Sequence, residues 1–271
     1  MSSSKTALIT GASSGIGAVY ARRLAARGYN LVLVARRTDR LATLATELAA
    51  TGNITIETVT ADLTADADII RIEQLLRDES IDMLINNAGM GPAASTADMS
   101  DADAAATLAL NVTALMRLTR AALPGMRARK SGTVVNVGSV LAFHALPQST
   151  LYSATKAFVL TFSRGIADEV KDDGVLVQAV LPAGTVTEFY ESAGMSIDNF
   201  DPSIFMTAEQ LVDAGLAGMD RGEQVTLPSV HDENLWTSYD AARAQLMGGT
   251  QNGSPAARYF EPAAGKITPV A

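Results

Sequence analysis

The sequence predicts an α/β fold, a doubly wound parallel sheet of about seven strands with helices on both faces. Two observations support this prediction. Short β-branched runs alternate with longer helical patterns along the chain, an order that is typical of right-handed βαβ crossovers. Several of the short runs are apolar with little alternation, as strands buried on both faces of a sheet require.

The first four strands and the helices that follow them come from this alternation. The predicted strands are Thr6–Thr10, Leu31–Ala35, Ile54–Thr60 and Met83–Asn86. The predicted helices are Gly15–Arg27, Asp39–Ala50, Asp66–Arg77 and Asp103–Arg129. The last is one long helix or two. We expect its perturbation at Pro124 and Gly125, because a proline inside a helix removes a backbone donor.

The second half of the chain continues this pattern and then leaves it. Its predicted strands are Thr133–Val137, Val175–Leu181 and Val225–Pro228. Its predicted helices are Leu151–Val170, Ala208–Asp220 and His231–Met247. Residues 185–207 lack a clear period and are predicted to form a lid, a loop with short helices over a pocket. Without a repeat or a linker, residues 1–271 are expected to form one domain, with a C-terminal extension at 248–271.

The composition excludes several classes of function. The formal net charge is −8, and an acidic surface repels polyanions, so nucleic acid is not expected as a partner. The chain contains no cysteine, which excludes disulfides and thiol chemistry. The two histidines, His144 and His231, have no metal-ligand spacing, so no metal site is expected.

The distribution of apolar residues bears on location. The first strand begins almost directly after Met1, which leaves no room ahead of it for a signal peptide. No apolar run approaches the ~18–20 residues that a membrane helix needs. We therefore expect a cytoplasmic protein that has no membrane partner.

A glycine-rich turn joins the first strand to the first helix, where residues 10–17 read Thr-Gly-Ala-Ser-Ser-Gly-Ile-Gly. Gly11 allows a sharp turn, Gly15 lets backbone approach a pyrophosphate, and Gly17 permits close packing of the helix. The helix N-terminus adds free N–H groups and a partial positive charge. The alternative is a tight turn without a ligand, but its place after a first strand favours a nucleotide. The expected contacts are Gly11, Ser13, Ser14, Gly15, Ile16 and Gly17.

The end of the second strand indicates which nicotinamide cofactor is used. Ala35 stands where an acidic residue would hold a ribose 2′-hydroxyl, and Arg36 and Arg37 follow it. Arginine suits a 2′-phosphate instead. Surface charges at the start of a helix are the alternative. With the glycine turn upstream, the pair favours NADP(H) over NAD(H).

Further motifs carry a family resemblance. With the glycine turn, the segment Asn86-Asn87-Ala88-Gly89, Ser139, and the segment from Tyr152 to Lys156 resemble the short-chain dehydrogenase/reductase family. The resemblance covers roughly Lys5 to Thr187. It implies a Rossmann-type sheet and a catalytic tetrad of Asn111, Ser139, Tyr152 and Lys156. It also implies cofactor contacts at Asp62, Leu63, Asn87, Ala88, Gly89, Tyr152, Lys156, Pro182, Gly184, Thr185 and Thr187.

The sequence departs from the family pattern at two cofactor positions. Ser14 stands where many NADP-using relatives carry a basic residue, which leaves more of the phosphate to Arg36 and Arg37. Ala183 follows Pro182 where the family usually has glycine, with Gly184 one place later. The packing against the nicotinamide is expected to differ accordingly.

The chemistry of carbonyl reduction explains the tetrad. A hydride must reach carbon and a proton must reach oxygen, and a free tyrosine with a pKa of about 10 is a poor acid–base group at neutral pH. Lys156 follows Tyr152 by one helical turn, so its ammonium is expected to lower the pKa of Tyr152. Ser139 would bind the substrate oxygen. By resemblance, Lys156 binds the nicotinamide ribose, and Asn111 holds a water in a proton relay.

The expected substrate is a small, largely apolar carbonyl compound or secondary alcohol. We expect substrate contacts at Leu141, Phe143, His144, Phe189 and Tyr190, in a wall that also includes Leu146, Met195, Phe200, Phe205 and Met206. The alternatives are that several of these residues pack the lid on the sheet and that His144 is an ordinary loop histidine. By resemblance the chain forms a homodimer or a homotetramer.

Two other functions compete with the oxidoreductase. A non-catalytic redox sensor would bind NADP(H) without turnover, but it has no need of Tyr152 and Lys156 as a set. A methyltransferase using S-adenosylmethionine could have a similar sheet, but the diphosphate-type turn and the paired arginines disfavour it. The complete tetrad therefore favours an NADP(H)-dependent oxidoreductase with Tyr152 as general acid and base.

Overall fold

The computed structural model describes residues 4–50, 52–78 and 80–260. The chain divides into two compact units, Met1–Ser229 and Val230–Ala271. The described part of the second unit, up to residue 260, contains a helix at Glu233–Gly249, where His231–Met247 was predicted, and a 3₁₀ turn at Ala257–Tyr259. The C-terminal extension predicted at 248–271 lies in part beyond residue 260, outside the described residues.

The first unit is built from short strands and amphipathic helices in alternation. Its strands are β1 (Thr6–Thr10), β2 (Asn30–Ala35), β3 (Ile56–Thr60), β4 (Met83–Asn86), β5 (Gly132–Val137), β6 (Val175–Val180), β7 (Gly184–Val186), β8 (Phe205–Thr207) and β9 (Val225–Thr226). Its α-helices are α1 (Gly15–Ala26), α2 (Thr38–Ala49), α3 (Asp66–Asp78), α4 (Asp101–Leu108), α5 (Leu115–Arg129), α6 (Thr150–Val170), α7 (Phe189–Ser192) and α8 (Ala208–Asp220).

Seven strands form one parallel sheet in the order β3-β2-β1-β4-β5-β6-β9. The predicted doubly wound sheet is confirmed. From β1 the chain winds outward to β3 and then returns to place β4 on the other side of β1. The strand order reverses between β1 and β4, and a crevice at the carboxyl ends of the strands opens at such a reversal.

Both faces of the sheet are covered. One hydrophobic core joins the sheet to α1, α2 and α8, and the other joins it to α3, α5 and α6. Neighbouring residues of one strand enter opposite cores: Leu8 belongs to the second core and Ile9 to the first, and both are fully buried. This double burial explains why the strand sequences are apolar without alternation.

The long helix before β5 is irregular at a place that was not predicted. A π-helical segment, Ala109–Ala114, separates α4 from α5, whereas α5 continues through Pro124. The expected perturbation at Pro124 and Gly125 is therefore wrong, because α5 tolerates the loss of the one backbone donor that proline removes. Single π turns inside α-helices frequently lie at functional sites, and this one contains Asn111.

The predicted lid carries more regular structure than a loop with short helices. Its first strand, β7, pairs in parallel with β8, and Thr185 lies opposite Met206. The helix α7 and two 3₁₀ turns, Ile197–Asn199 and Pro202–Ile204, lie between the two strands. The lid is thus held at both ends by its own two-stranded sheet.

A ladder of buried polar side chains crosses the second core. Asn86 on β4 donates through Nδ2 to Thr119 on α5 and to Asn136 on β5, both at 2.9 Å. Asn136 donates in turn to the Ser163 hydroxyl on α6, also at 2.9 Å. The ladder therefore ties the sheet to α5 and α6, two of the three helices that cover that face.

Candidate active site

Gly11 and Gly17 in the glycine turn occupy positions that other residues would not fit. Gly11 has a φ of +66°, in the left-handed region that disfavours other residues. A Cβ at Gly17 would collide with the Gly11 carbonyl and lie 2.6 Å from Asn87 Nδ2. The start of α1 therefore packs directly on the turn, which leaves its first N–H groups available to an anion.

Asn87 and Thr10 tie the turn to the end of β4. The Asn87 amide donates to the carbonyls of Thr10 and Gly11, at 3.0 and 3.3 Å. The Thr10 hydroxyl accepts from the N–H groups of Asn87 and Ala88, at 3.0 and 3.1 Å. Thr10 is a positioning residue that the sequence reasoning missed, although it directly precedes Gly11. These bonds fix the two strand ends on either side of the crevice.

Of the two arginines after β2, Arg37 lies against the glycine turn. It donates to the Ser13 hydroxyl through Nε and Nη2, at 3.1 and 3.0 Å, and to the Ser14 hydroxyl through Nη2 at 2.6 Å. Arg36 is exposed. Ser14 precedes α1, and its side chain makes no capping bond to the helix. Arg37 therefore brings a positive charge to the place where a basic residue is missing at position 14.

The lid reaches this arginine. Glu188 accepts from Arg37 Nη1 at 2.8 Å and from Arg40 Nη1 at 2.5 Å. Hydrogen bonds from Arg37 and Arg40 lower the pKa of the Glu188 carboxyl to about 2. Glu188 is therefore a carboxylate at any pH near neutral, and the sequence reasoning did not single it out.

Tyr152, Lys156 and Ser139 form a second group of side chains, which lies after β5. Tyr152 and Lys156 lie on α6, and the Lys156 ammonium is 5.5 Å from the centroid of the Tyr152 ring. Lys156 is buried and donates to the Val137 carbonyl at the end of β5, at 2.9 Å. Ser139 is buried two residues beyond β5 and shares a hydrogen bond with Tyr152. The structure thus brings these three predicted side chains together.

The pKa of Tyr152 does not follow the expectation. Burial raises the pKa of Tyr152 well above its ordinary value, and the hydrogen bond with Ser139 opposes this rise only in part. The expected lowering by Lys156 is wrong here, because the ammonium lies over the ring and bonds to Val137. Burial also lowers the pKa of Lys156 to about 8. Tyr152 therefore keeps its proton at neutral pH.

The lowered pKa of Lys156 predicts a pH-dependent stability. Between about pH 8 and 10.5 the unfolded chain binds a proton at this lysine that the folded chain releases, so this residue's contribution to the free energy of unfolding rises with pH. We expect the wild type to gain about 2 kcal/mol over Lys156→Met between about pH 7.5 and 9.5. Urea unfolding of both proteins at both pH values measures this, and an unchanged difference would contradict it. Tyr152 acts in the opposite sense only above about pH 10.

Asn111 is engaged with backbone rather than open to solvent. Its Oδ1 accepts from the Met90 N–H at 2.9 Å, and its Nδ2 donates to the Met90 carbonyl at 2.7 Å and to Thr155 Oγ1 at 3.1 Å. The Thr155 hydroxyl donates to the Tyr152 carbonyl at 2.7 Å. Asn111 therefore joins the segment after β4 to the helix that carries Tyr152. Met90 and Thr155 were not predicted, since their contacts are tertiary.

Two glycines after β4 form the floor of the site. A Cβ at Gly89 would lie 3.6 Å from Lys156 Nζ and 3.4 Å from Asn111 Oδ1. A Cβ at Gly91 would lie 2.5 Å from Tyr152 Cδ2 and 3.0 Å from Phe189 Cζ. The backbone of this segment thus lies directly against the catalytic candidates, and Gly91 is a site residue that the sequence reasoning missed.

Aromatic side chains of the lid extend from Tyr152. The Phe189 ring lies 5.4 Å from the Tyr152 ring and 5.9 Å from the Tyr190 ring, between centroids. Tyr190 contacts Phe205 at 5.2 Å and Phe200 at 5.9 Å. Phe189 and Tyr190, both predicted substrate contacts, therefore belong to one aromatic cluster with Tyr152.

The other predicted wall residues differ in their burial. Met206 packs against the first hydrophobic core. Phe143, His144 and Leu146 are exposed on the loop before α6, whereas Leu141 is partly buried. The alternative that some of these residues pack the lid on the sheet holds for Met206.

The remaining predicted cofactor residues follow β3 and β6 in the chain. The Asp62 carboxylate, beyond β3, accepts from Thr64, and the Leu63 side chain is buried in the second core. The Pro182 carbonyl accepts from the Val140 N–H at 2.9 Å. A Cβ at Gly15 would meet the Thr187 methyl at 3.2 Å, so the lid begins next to the glycine turn.

The part of the chain that the structure describes contains neither a cluster of metal ligands nor a membrane span. In residues 4–50, 52–78 and 80–260, no group of three or more His, Cys, Asp or Glu side chains could hold a metal ion. None of the described helices combines the length and the apolar character that a bilayer span needs.

Comparison with known sequences points to one family. Its sequence model, described as short chain dehydrogenase, matches residues 5–196. Very-long-chain 3-oxoacyl-CoA reductase-A of Danio rerio is 32% identical over 209 residues, which are 76% of this chain and 66% of that protein. This chain therefore spans slightly less than two thirds of the length of that relative.

Two solved structures are similar over almost the whole chain. A short-chain dehydrogenase from Sphingobium yanoikuyae in complex with NADPH is 43% identical, with a TM-score of 0.90 over 94% of this chain and 100% of that one. The bulky-bulky ketone specific alcohol dehydrogenase from Comamonas testosteroni is 42% identical, with a TM-score of 0.87 over 95% of this chain and 99% of that one.

Proposed function

Since this chain belongs to the short-chain dehydrogenase family, we propose that it is an NADP(H)-dependent oxidoreductase that reduces a ketone, or oxidises the corresponding secondary alcohol, with Tyr152 as the general acid and base. One observation carries the proposal. The two sets of groups that this reaction needs follow strands of the same parallel sheet, Arg37 with the glycine turn after β1 and β2, and Tyr152 with Lys156 and Ser139 after β5.

The residues present suit a dinucleotide. The close approach of Gly17 to Gly11 leaves backbone, without side chains, facing the place of a pyrophosphate. Arg37 suits a 2′-phosphate, which needs charge-assisted donors. Lys156, next to Gly89, would hold the nicotinamide ribose. Asn87, Ala88 and the start of the lid at Thr187 would complete the cradle.

In this reaction the protein itself has to transfer only a proton. When bound, NADPH supplies the hydride. Tyr152, whose raised pKa keeps its hydroxyl protonated, donates a proton to the substrate oxygen as negative charge develops there. The Ser139 hydroxyl donates a hydrogen bond to the same oxygen. Lys156 stays bonded to the Val137 carbonyl beside the Tyr152 ring, and Asn111 keeps α6 and the Met90 backbone in place.

The substrate class follows from the lid. Aromatic side chains face Tyr152 through Phe189 and Tyr190, and such walls suit apolar groups on the substrate. The alcohol dehydrogenase from Comamonas testosteroni is described as specific for bulky-bulky ketones. We therefore propose ketones that carry two large apolar groups, or their alcohols, as the preferred substrates.

An oxidation assay tests this proposal directly. Purified protein and NADPH are mixed with ketones of graded size, from acetone through aryl alkyl ketones to diaryl ketones and keto esters. We expect turnover to rise with the size of the second group attached to the ketone carbon. Tight binding of NADPH with no turnover on any substrate in either direction would instead favour the redox sensor.

The choice of cofactor gives a separate prediction. We expect the double substitution Arg36→Ala with Arg37→Ala to weaken NADPH binding by about 30- to 100-fold, because charge-assisted bonds to the 2′-phosphate are lost. NADH binding should change by less than about threefold, because NADH lacks that phosphate. Calorimetric titration of both cofactors measures the two effects. Arg221→Ala, an exposed arginine paired with Glu223, is the control, and equal losses for both cofactors would contradict the prediction.

A further inference from the structure

Glu188 lies in an unusual place for an acidic residue. It comes from the lid, immediately before α7, yet its carboxylate bonds to Arg37, 151 positions earlier in the chain. Arg37 also holds the hydroxyls of Ser13 and Ser14 in the glycine turn. The carboxylate therefore lies beside the donors to which the proposed function assigns the 2′-phosphate of NADP(H).

The geometry makes the carboxylate a competitor for those donors. Arg37 uses Nη1 for Glu188, and Nε and Nη2 for the serine hydroxyls. Nη1 carries two N–H groups and Glu188 takes one of them, so a phosphate that bonded to the other would lie beside the Glu188 carboxylate. The two anions would also repel each other at this distance, since Glu188 stays ionised near neutral pH.

The structure also shows where the carboxylate can go. Arg40 binds the other oxygen of Glu188, so the side chain keeps one cation after it leaves Arg37. Glu188 also lines an open cavity of about 400 Å³ together with Gly15 and Thr187. The side chain therefore has both a second partner and room to move.

We propose that Glu188 is a cofactor-specificity residue that occupies Arg37 in the free protein and is displaced from it by the 2′-phosphate of NADP(H). This inference rests on the proposed function, because it needs that phosphate at Arg37. NADPH binding then includes the cost of breaking the Arg37–Glu188 pair. NADH, which has no 2′-phosphate, leaves the pair intact and binds without this competition.

The test compares Glu188→Gln with the wild type by calorimetric titration of NADPH and NADH at fixed ionic strength. Both partners of the pair are substantially exposed, so the pair is weak, and we expect NADPH to bind about three- to fivefold more tightly to the variant. NADH affinity should stay the same. Glu191→Gln, which removes the same charge three residues further along, within α7, should change neither. In an Arg37→Ala background the gain from Glu188→Gln should disappear.

The outcomes separate this inference from the proposed function. Weaker NADPH binding by Glu188→Gln would mean that Glu188 holds Arg37 in position for the phosphate, and unchanged binding would mean that the pair has no role. Either result overturns the competition while NADP(H) use stands. Equal affinity of the wild type for NADPH and NADH would overturn the proposed cofactor preference, and the competition with it.

Discussion

Tyr152→Phe is expected to lower kcat for ketone reduction by about 10³-fold, within the range of general acid catalysis. The substitution removes the only hydroxyl on α6 that the proposed reaction uses as a proton donor. The ring keeps its contacts with Phe189 and Lys156. NADPH affinity should therefore change by less than about threefold. Single-turnover kinetics with NADPH and an aryl ketone, together with titration of NADPH, measure both quantities.

Tyr190→Phe is the matched control for this experiment. Tyr190 is also a phenol in the same aromatic cluster, 5.9 Å from Phe189 between ring centroids. Removing its hydroxyl should lower kcat by no more than about threefold, because it has no part in proton transfer. Comparable losses in the two variants would mean that the cluster, and not the Tyr152 hydroxyl, sets the rate.

Gly91→Ala is expected to lower kcat by about 10²-fold, the scale of loss when reacting groups are misplaced by about 1 Å. The new methyl would lie 2.5 Å from Tyr152 Cδ2 and 3.0 Å from Cγ, closer than van der Waals contact. The Tyr152 ring must move, and its hydroxyl moves with it. The phosphate end of the crevice is untouched, so NADPH should bind nearly as it does to the wild type.

Gly165→Ala supplies the matched control. Gly165 lies on α6, the helix that carries Tyr152, and a Cβ there meets nothing within 4 Å. Alanine favours helix over glycine by about 1 kcal/mol, so this variant should be more stable with kcat unchanged. If Gly91→Ala turned over ketones at the wild-type rate, Tyr152 would not be held by this contact.

The seven-stranded sheet could be predicted because its strands are recognisable from their local sequence. Leu31–Ala35 and Met83–Asn86 are compact apolar runs, and the structure places strands over both. A predicted strand boundary differs from the observed one where the apolar run extends beyond the residues that pair in the sheet. The third strand, predicted from Ile54, starts at Ile56. Strands such as β7, with only three residues, are too short to produce a period.

The site could be predicted only to the level of residue sets. Tyr152, Lys156 and Ser139 do come together, but the pKa of Tyr152 depends on burial, and no spacing along a helix encodes burial. The π-helical segment at Asn111 reflects its bonds to Met90, a tertiary contact. The Arg37–Glu188 pair joins residues far apart in sequence. Homo-oligomerisation stays a prediction.

The buried ladder from Asn86 through Asn136 to Ser163 restricts how α6 can be aligned on the sheet. Apolar side chains tolerate sliding, because dispersion has no preferred direction, whereas an amide has to meet its acceptor. A shift of α6 by one turn would carry Ser163 away from Asn136 and leave a buried donor unpaired, at about 1–3 kcal/mol. Competing alignments of α6 on the sheet are penalised in this way. The ladder, which adds little to stability, thus fixes the position of α6 along the sheet. Because Tyr152 lies on α6, the ladder also fixes the position of Tyr152 in the crevice.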